Sequence, residues 1–338
     1  MFLKLTNYEL IELKMGQDLL VEIKDLKKYF ISRSGIFSKK TNTVHAVDGV
    51  SFYINKGETL GLAGESGCGK TTVGKAILRI TEPNNGEVYF DGINILELKR
   101  KQLRKVRSKM LMVFQNSQSS LNPRMTVGNI IDRPLKIFTD NNVNVRREKI
   151  LEILSKVDLD PKSIHKYPHE FSGGQIQRIG IARALVLSPK FVVLDEPTSA
   201  LDVSVQAQIL NLLLKLRADL DLAYLFISHN LVVLKHVCDR VAVMYLGKIL
   251  EIAPRENLFE SPRHPYTQGL IAAIPIPVPM PGRKRIILKG DVPSAFNPPK
   301  GCRFYTRCEN RKNICTEIEP KLMEVKREHF VACHLYNK

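Results

Sequence analysis

The sequence predicts an α/β protein built around a parallel sheet, on three observations. Phe191–Leu194 and Leu225–Ile227 are short, wholly apolar runs, which suits strands covered on both faces. Residues 64–72 place a glycine-rich turn between a strand pattern and a helical one. Ile209, Leu212, Leu213 and Leu216 fall at helical spacing between the two apolar runs.

Taken in order, Leu19–Ile23, Val44–Ile54 and Thr59–Ala63 read as strands. Val73, Ala76, Ile77 and Ile80 then mark the helix after the glycine turn, and Met110–Phe114 is a further strand. Residues 116–170 lack a long β-run. Ile150, Ile153, Leu154 and Val157 recur there at i, i+3, i+4 and i+7, so the segment reads as a helical insertion, extending to about residue 185. Val241–Leu250 reads as a hairpin turning at Gly247-Lys248. Prolines alternate over 275–282, which excludes helix and favours an extended connector. The tail beyond it is too short to rely on its own apolar core and holds four of the six cysteines. The division expected is an extension over 1–18, a nucleotide-binding domain over 19–260 and a C-terminal module over 261–338.

The chain has 338 residues, enough for about two domains. Apolar residues make up 44% and charged residues 25%, which excludes wholesale disorder. Fifty-one Lys and Arg against 34 Asp and Glu leave a net charge of +17, which favours anionic partners: nucleotide, nucleic acid or an anionic lipid face. No apolar run reaches the about 18 residues of a membrane-spanning helix, and Glu9 and Glu12 interrupt the first stretch. A secretory signal is not expected, and a cytoplasmic protein is. Met15 directly precedes the first strand pattern, so residues 1–14 read as a dispensable extension.

Three motifs carry the chemistry. Gly64, Glu65, Ser66, Gly67, Cys68, Gly69, Lys70, Thr71 and Thr72 spell a phosphate-binding loop. Its glycines let backbone N–H groups turn around an anion, and the helix that follows points its positive end at the same charge. Lys70 supplies a full charge, and the Thr71 hydroxyl suits Mg²⁺. Asp195 and Glu196 follow an apolar strand, at the edge where ligands sit in such sheets. Asp195 suits Mg²⁺ through water, and Glu196 suits the polarisation of an attacking water. Ser172, Gly173, Gly174 and Gln175 open a second helix, and so a second anion-binding end, although such a turn is also an ordinary helix cap.

Together with Ser199-Ala200-Leu201-Asp202 and Ser228-His229, these motifs resemble, in order and spacing, the ATP-binding cassette (ABC) ATPases over residues 19–260. The resemblance implies a P-loop RecA-like ATPase core with an antiparallel β subdomain and a helical insertion. It implies a composite site, in which Ser172, Gly173, Gly174 and Gln175 of one cassette close on ATP held by another, with Asp202 at the same interface. It makes Gln115 the residue touching Mg²⁺ and water, His229 the γ-phosphate contact and Phe30 the ring stacked on adenine, with Tyr29 as its competitor. Catalysis then falls to Glu196, His229 and Gln115, and Mg²⁺ to Thr71, Gln115 and Asp195.

Further segments resemble the dipeptide/oligopeptide importer ATPases. They are Gln115 with Ser120–Val127, Tyr167–Ser172, His264–Thr267, the alternating prolines and Gly301–Phe304. Residues 28–30, 35–37 and 46–50 look closer to the F-type subunit than to the D-type. The resemblance implies a peripheral protein at the cytoplasmic membrane face, paired with a second, different ATPase subunit. It implies two permease subunits as partners and, indirectly, a substrate-binding protein. It also implies a [4Fe–4S] cluster on Cys302, Cys308, Cys315 and Cys333. A zinc ion or four buried free thiols are the other readings, and Arg303, Arg307, Arg311 and Lys312 are expected to offset a cluster's charge. Cys68 is read as a point of sensitivity to thiol reagents. The competing function is an ABC ATPase acting on nucleic acid or ribosomes, but the chain has one cassette and no long coiled-coil insertion; no specific nucleic acid is expected.

Overall fold

The structure is a computed structural model, and it describes residues 18–33, 41–274, 290, 293–296 and 298–336. The expected N-terminal extension, apart from Asp18 at its end, and the alternating prolines lie outside these residues. The chain divides into two compact units: residues 1–55, 60–94 and 228–338 form one, and residues 56–59 and 95–227 the other.

The first unit holds two sheets. In the smaller, β1 (Leu19–Arg33) lies between β2 (Thr41–Asn55) and β4 (Asn85–Phe90), with the short β5 (Ile93–Asn94) on the far edge, all antiparallel. This is the expected β subdomain, its first two strands longer than the apolar alternation marks. In the other sheet, β3 (Thr59–Ala63) runs parallel to β9 (Arg240–Tyr245), with Leu60 opposite Arg240. Every residue of both strands is buried, as an apolar run covered on two faces requires. The hairpin from β9 to β10 (Lys248–Pro254) closes over Leu246-Gly247, one residue earlier than the sequence reading.

The tail adds to this sheet. β12 (His329–Val331) pairs with β10, Glu251 opposite Val331, and β11 (Met323–Lys326) pairs with β12. Glu251 anchors that junction. Its carboxylate is fully buried, 2.7 Å from His329 Nε2, and accepts the main-chain N–H groups of Arg263 (2.7 Å) and His264 (2.9 Å). His264 Nδ1 accepts the N–H of Tyr266 and so caps the helix Pro265–Ala272. Only an unprotonated ring nitrogen can do this.

In the second unit, β6 (Met110–Val113), β7 (Phe191–Asp195) and β8 (Ala223–Ile227) are parallel, Met110 opposite Phe191 and Phe191 opposite Ala223. β7 and β8 are buried throughout, as their sequences predict. The helix Val203–Leu220 buries the expected Ile209, Leu212, Leu213 and Leu216. The insertion is helical: Val127–Phe138, Val143–Lys156 and Gly173–Leu185, the second burying Ile150, Ile153 and Leu154.

Two outcomes follow from the buried junction. Glu251→Ala leaves three donors without their acceptor and lowers stability by about 3 kcal/mol in a denaturant titration. Burial lowers the His264 pKa from 6.5 to about 4, against the opposing pull of Glu251. The unfolded chain therefore binds the extra proton first. The contribution is complete above about pH 6.5 and is lost as pH falls through about 4. His264→Asn, which keeps a cap, flattens that acid loss in melts run across this window.

Candidate functional site

In the first unit, β3 ends at Ala63 and the chain enters the glycine-rich loop. Gly64 (φ 147°) and Gly69 (φ 110°) lie against neighbouring main chain. A Cβ on the first would sit 2.2 Å from the Met244 carbonyl oxygen, and on the second 2.0 Å from that of Ala46. Neither position accepts a side chain. Ser66 and Gly67 are exposed at the rim, and Thr71 and Thr72 are half-buried.

Lys70 is 5% exposed, and its ammonium donates to the carbonyls of Gly64 (2.7 Å) and Glu65 (2.9 Å). The helix Lys70–Ile77 starts with no side-chain cap and no acidic residue in its first turn. The positive end of its dipole therefore meets no acidic side chain in that turn. This donor set fits a polyphosphate.

Cys68, expected to respond to thiol reagents, is 4% exposed, and burial pushes its thiol up despite the nearby Lys70. A thiol kept protonated in this way is a poor nucleophile.

Tyr29 and Phe30 separate clearly. The Tyr29 hydroxyl donates to Asp48 (2.5 Å) and its ring packs 4.4 Å from that of His45. Phe30 is 42% exposed, with the Lys28 ammonium 5.1 Å from its ring centroid, so it is the ring of the two open to stacking. His229 is exposed, in a turn where Asn230 N–H donates to the Ser228 hydroxyl. Ser228 N–H donates to the Leu62 carbonyl, which ties this turn to the strand feeding the loop.

In the second unit, the Gln115 amide donates to Glu196 Oε2 at 2.8 Å, so two residues 81 positions apart meet. Glu196 has φ 46°, a left-handed conformation costly for a side chain of its kind, and its N–H donates to the Ile227 carbonyl (3.0 Å). Asp195, buried at the end of β7, precedes it. Ser172 caps the helix Gly173–Leu185 in a reciprocal box: Gln175 N–H donates to its hydroxyl (3.4 Å), and its own N–H donates to Gln175 Oε1 (3.0 Å). Asp202 caps the helix Val203–Leu220. The Ser204 hydroxyl (2.6 Å) and the Val205 N–H (2.9 Å) hold its carboxyl below the usual range. Ser172, Gly173, Asp202 and Val203 are all exposed.

The tail cysteines require a correction. Among the described residues, no group of three or more His, Cys, Asp or Glu side chains is arranged to hold a metal ion. The expected [4Fe–4S] cluster and its zinc alternative are therefore not supported, and the reading that stands is of free, mostly buried thiols. Burial pushes the Cys302 thiol up to about 12 and raises Cys308 and Cys333, which keeps these free thiols protonated. Two supposed counter-charges are also engaged elsewhere. Arg303 pairs with Asp48, and Arg307 pairs with Glu65 of the glycine loop. The sequence reading gave Arg307 no place at this loop, nor Tyr266, whose hydroxyl accepts the Glu65 N–H at 3.1 Å. Tyr266 entered that reading only within His264–Thr267, one of the segments that carry the importer resemblance.

Residues 47–199 match the ABC transporter family, and residues 250–315 match the oligopeptide/dipeptide transporter C-terminal region. The chain is 51% identical over 325 residues to the oligopeptide transport ATP-binding protein AppF of Bacillus subtilis, covering 95% of this chain and 99% of that protein. It is 48% identical over 319 residues to a putative peptide import ATP-binding protein of Brucella ovis, covering 94% and 98%. Among solved structures, the ATP-binding cassette MJ0796, a dimer in a post-hydrolysis state bound to ADP and Pi, matches with a TM-score of 0.61 at 29% identity. That match covers 70% of this chain and 99% of that one. CbiO1 of Clostridium perfringens, part of an ABC transporter complex, matches with a TM-score of 0.62 at 25% identity, covering 72% and 92%. With this identity over nearly its whole length, the chain belongs to the ATP-binding proteins of the oligopeptide/dipeptide ABC transporter family.

Proposed function

We propose that this chain is the ATP-hydrolysing subunit that powers import of oligopeptides or dipeptides, working at the cytoplasmic face of the membrane with two permease subunits. The observation that carries hydrolysis is the Gln115–Glu196 hydrogen bond. It gives a carboxylate on a strained backbone a fixed orientation, as a base acting on one water requires. The observation that carries the solute class is the peptide-transport relatives and the C-terminal region shared with that family. Nothing among these relatives favours the nucleic-acid alternative.

In this reading, residues 19–260 are the cassette and 261–338 its tail. The main chain of residues 64–72 and the Lys70 ammonium hold the β- and γ-phosphates, and Phe30 stacks on the adenine. Thr71, Gln115 and Asp195 are the residues to hold Mg²⁺, which when bound draws charge from the phosphate oxygens. Glu196 takes the proton of the attacking water, Gln115 aims it, and His229 contacts the γ-phosphate. Ser172, Gly173, Gly174 and Gln175 serve the nucleotide of a second cassette, and Asp202 lies at the same boundary. The exposure of that cap supports the assignment. The second cassette is a related but different subunit, and a separate binding protein delivers the solute.

Motion reaches the permeases through the helical insertion. It carries a groove of about 240 Å³ walled by Met125, Ile130, Pro134, Ile137 and Phe138. Arg183, also on its wall, donates to the Ser120 carbonyl at 2.7 Å, in the segment that follows Gln115.

Glu196→Gln separates binding from chemistry. Turnover of ATP falls about 100-fold or more while nucleotide affinity persists, and uptake of a labelled oligopeptide by cells carrying only this variant is lost. Turnover near the unsubstituted rate overturns the role of Glu196. Lost turnover with unaffected peptide uptake overturns the transport reading.

A further inference from the structure

The loop residue Glu65 is held from an unexpected direction. Arg307, 242 positions away in the tail, donates to both of its carboxylate oxygens: Nη1 at 2.9 and 3.2 Å and Nη2 at 3.2 Å. The guanidinium is 7% exposed and the carboxylate 26%, so water screens the pair poorly. Arg307 lies 5.8 Å from the ring centroid of Tyr245 and 6.0 Å from that of Phe304. Those rings and Tyr266 pack on one another at 4.7 to 5.5 Å, and all three are buried. The Tyr266 hydroxyl accepts the N–H of the same Glu65, while its carbonyl accepts from Lys70. One loop residue is thus fixed at its side chain, its N–H and its carbonyl, two of these by groups from beyond residue 260.

The charge logic is specific. A carboxylate inside a loop built to gather polyanions repels the ligand unless a cation covers it. Arginine's planar fork covers both oxygens and holds the carboxylate in one geometry.

We propose that Arg307 is a positioning residue for the nucleotide: it neutralises and orients Glu65, and so makes the tail a required part of the phosphate-binding loop. The proposal rests on the reading of residues 64–72 as the nucleotide site. It adds that the C-terminal segment is energetically linked to ATP binding. The linkage is reciprocal, so bound nucleotide in turn secures the tail.

The test is Mg·ATP binding by the full-length chain, unsubstituted and as Arg307→Ala, Arg307→Lys, Glu65→Gln and the double variant Arg307→Ala/Glu65→Gln. Arg307→Ala weakens binding about tenfold or more, because it uncovers the carboxylate. Removing that charge as well recovers most of the loss, so the double variant binds more tightly than Arg307→Ala alone. Arg307→Lys, which keeps the charge without the fork, falls between the unsubstituted chain and Arg307→Ala, and it serves if the alanine variant does not fold. Raising the salt concentration narrows the Arg307→Ala deficit, which a purely architectural role would not do. A double variant as weak as Arg307→Ala, or an Arg307→Lys chain that binds like the unsubstituted one and shows no salt effect, overturns the proposal. An unsubstituted chain that binds no Mg·ATP overturns the nucleotide reading itself, and the proposal with it.

Discussion

The Lys70 ammonium is nearly shut off from water, and its hydrogen bonds run back to the two carbonyls that open its own loop. A buried positive charge is costly unless something negative or strongly polar meets it. Two carbonyl dipoles meet part of that need, and the proposed polyphosphate would meet the rest. The surrounding geometry follows from this. Gly64 and Gly69 accept no side chain because the loop must press against the main chain of Met244 and Ala46 to close around that point. The helix after the loop has no side-chain cap and no acidic residue in its first turn, so its dipole adds to the lysine.

The second unit holds the residues to which the proposal gives the chemical step. The left-handed backbone at Glu196 is costly for a side chain of its kind, and the Gln115 hydrogen bond holds its carboxylate in one orientation. Ser172 and Asp202 are sound helix caps, but their exposure, with Val203 83% exposed beside them, goes beyond what a cap needs. This exposure supports the proposal that a second cassette covers the surface.

The glycine turn, the lysine and the start of the helix after it are legible in the sequence because nine consecutive residues make them; the hold of Arg307 and Tyr266 on Glu65 is not, because it comes from about 200 positions away or more. The buried strands were legible for a similar reason, since four or five β-formers in a row leave little choice. The tail was not. Four cysteines supply a plausible ligand type, but intervals of this kind do not say whether the side chains converge, and they do not form a metal site. Nearby arginines looked like counter-charges because only their sequence neighbours could be weighed. Their partners, Asp48 and Glu65, are 255 and 242 positions away, and no local pattern announces a bond of that span. The same holds for Glu251, an apparently ordinary strand residue that gathers His329 and two main-chain donors at the junction of tail and cassette.

In the proposed function, one chain of this protein holds only part of the machinery for splitting ATP, and a second cassette supplies the rest. The most direct measurement is ATP turnover per chain as the protein is diluted from a state paired with a second cassette to one verified as monomeric by light scattering, with Mg·ATP saturating throughout. The account predicts that turnover per chain collapses as pairing is lost and returns when a second cassette is added. A strictly monomeric chain that turns over ATP at the paired rate contradicts it.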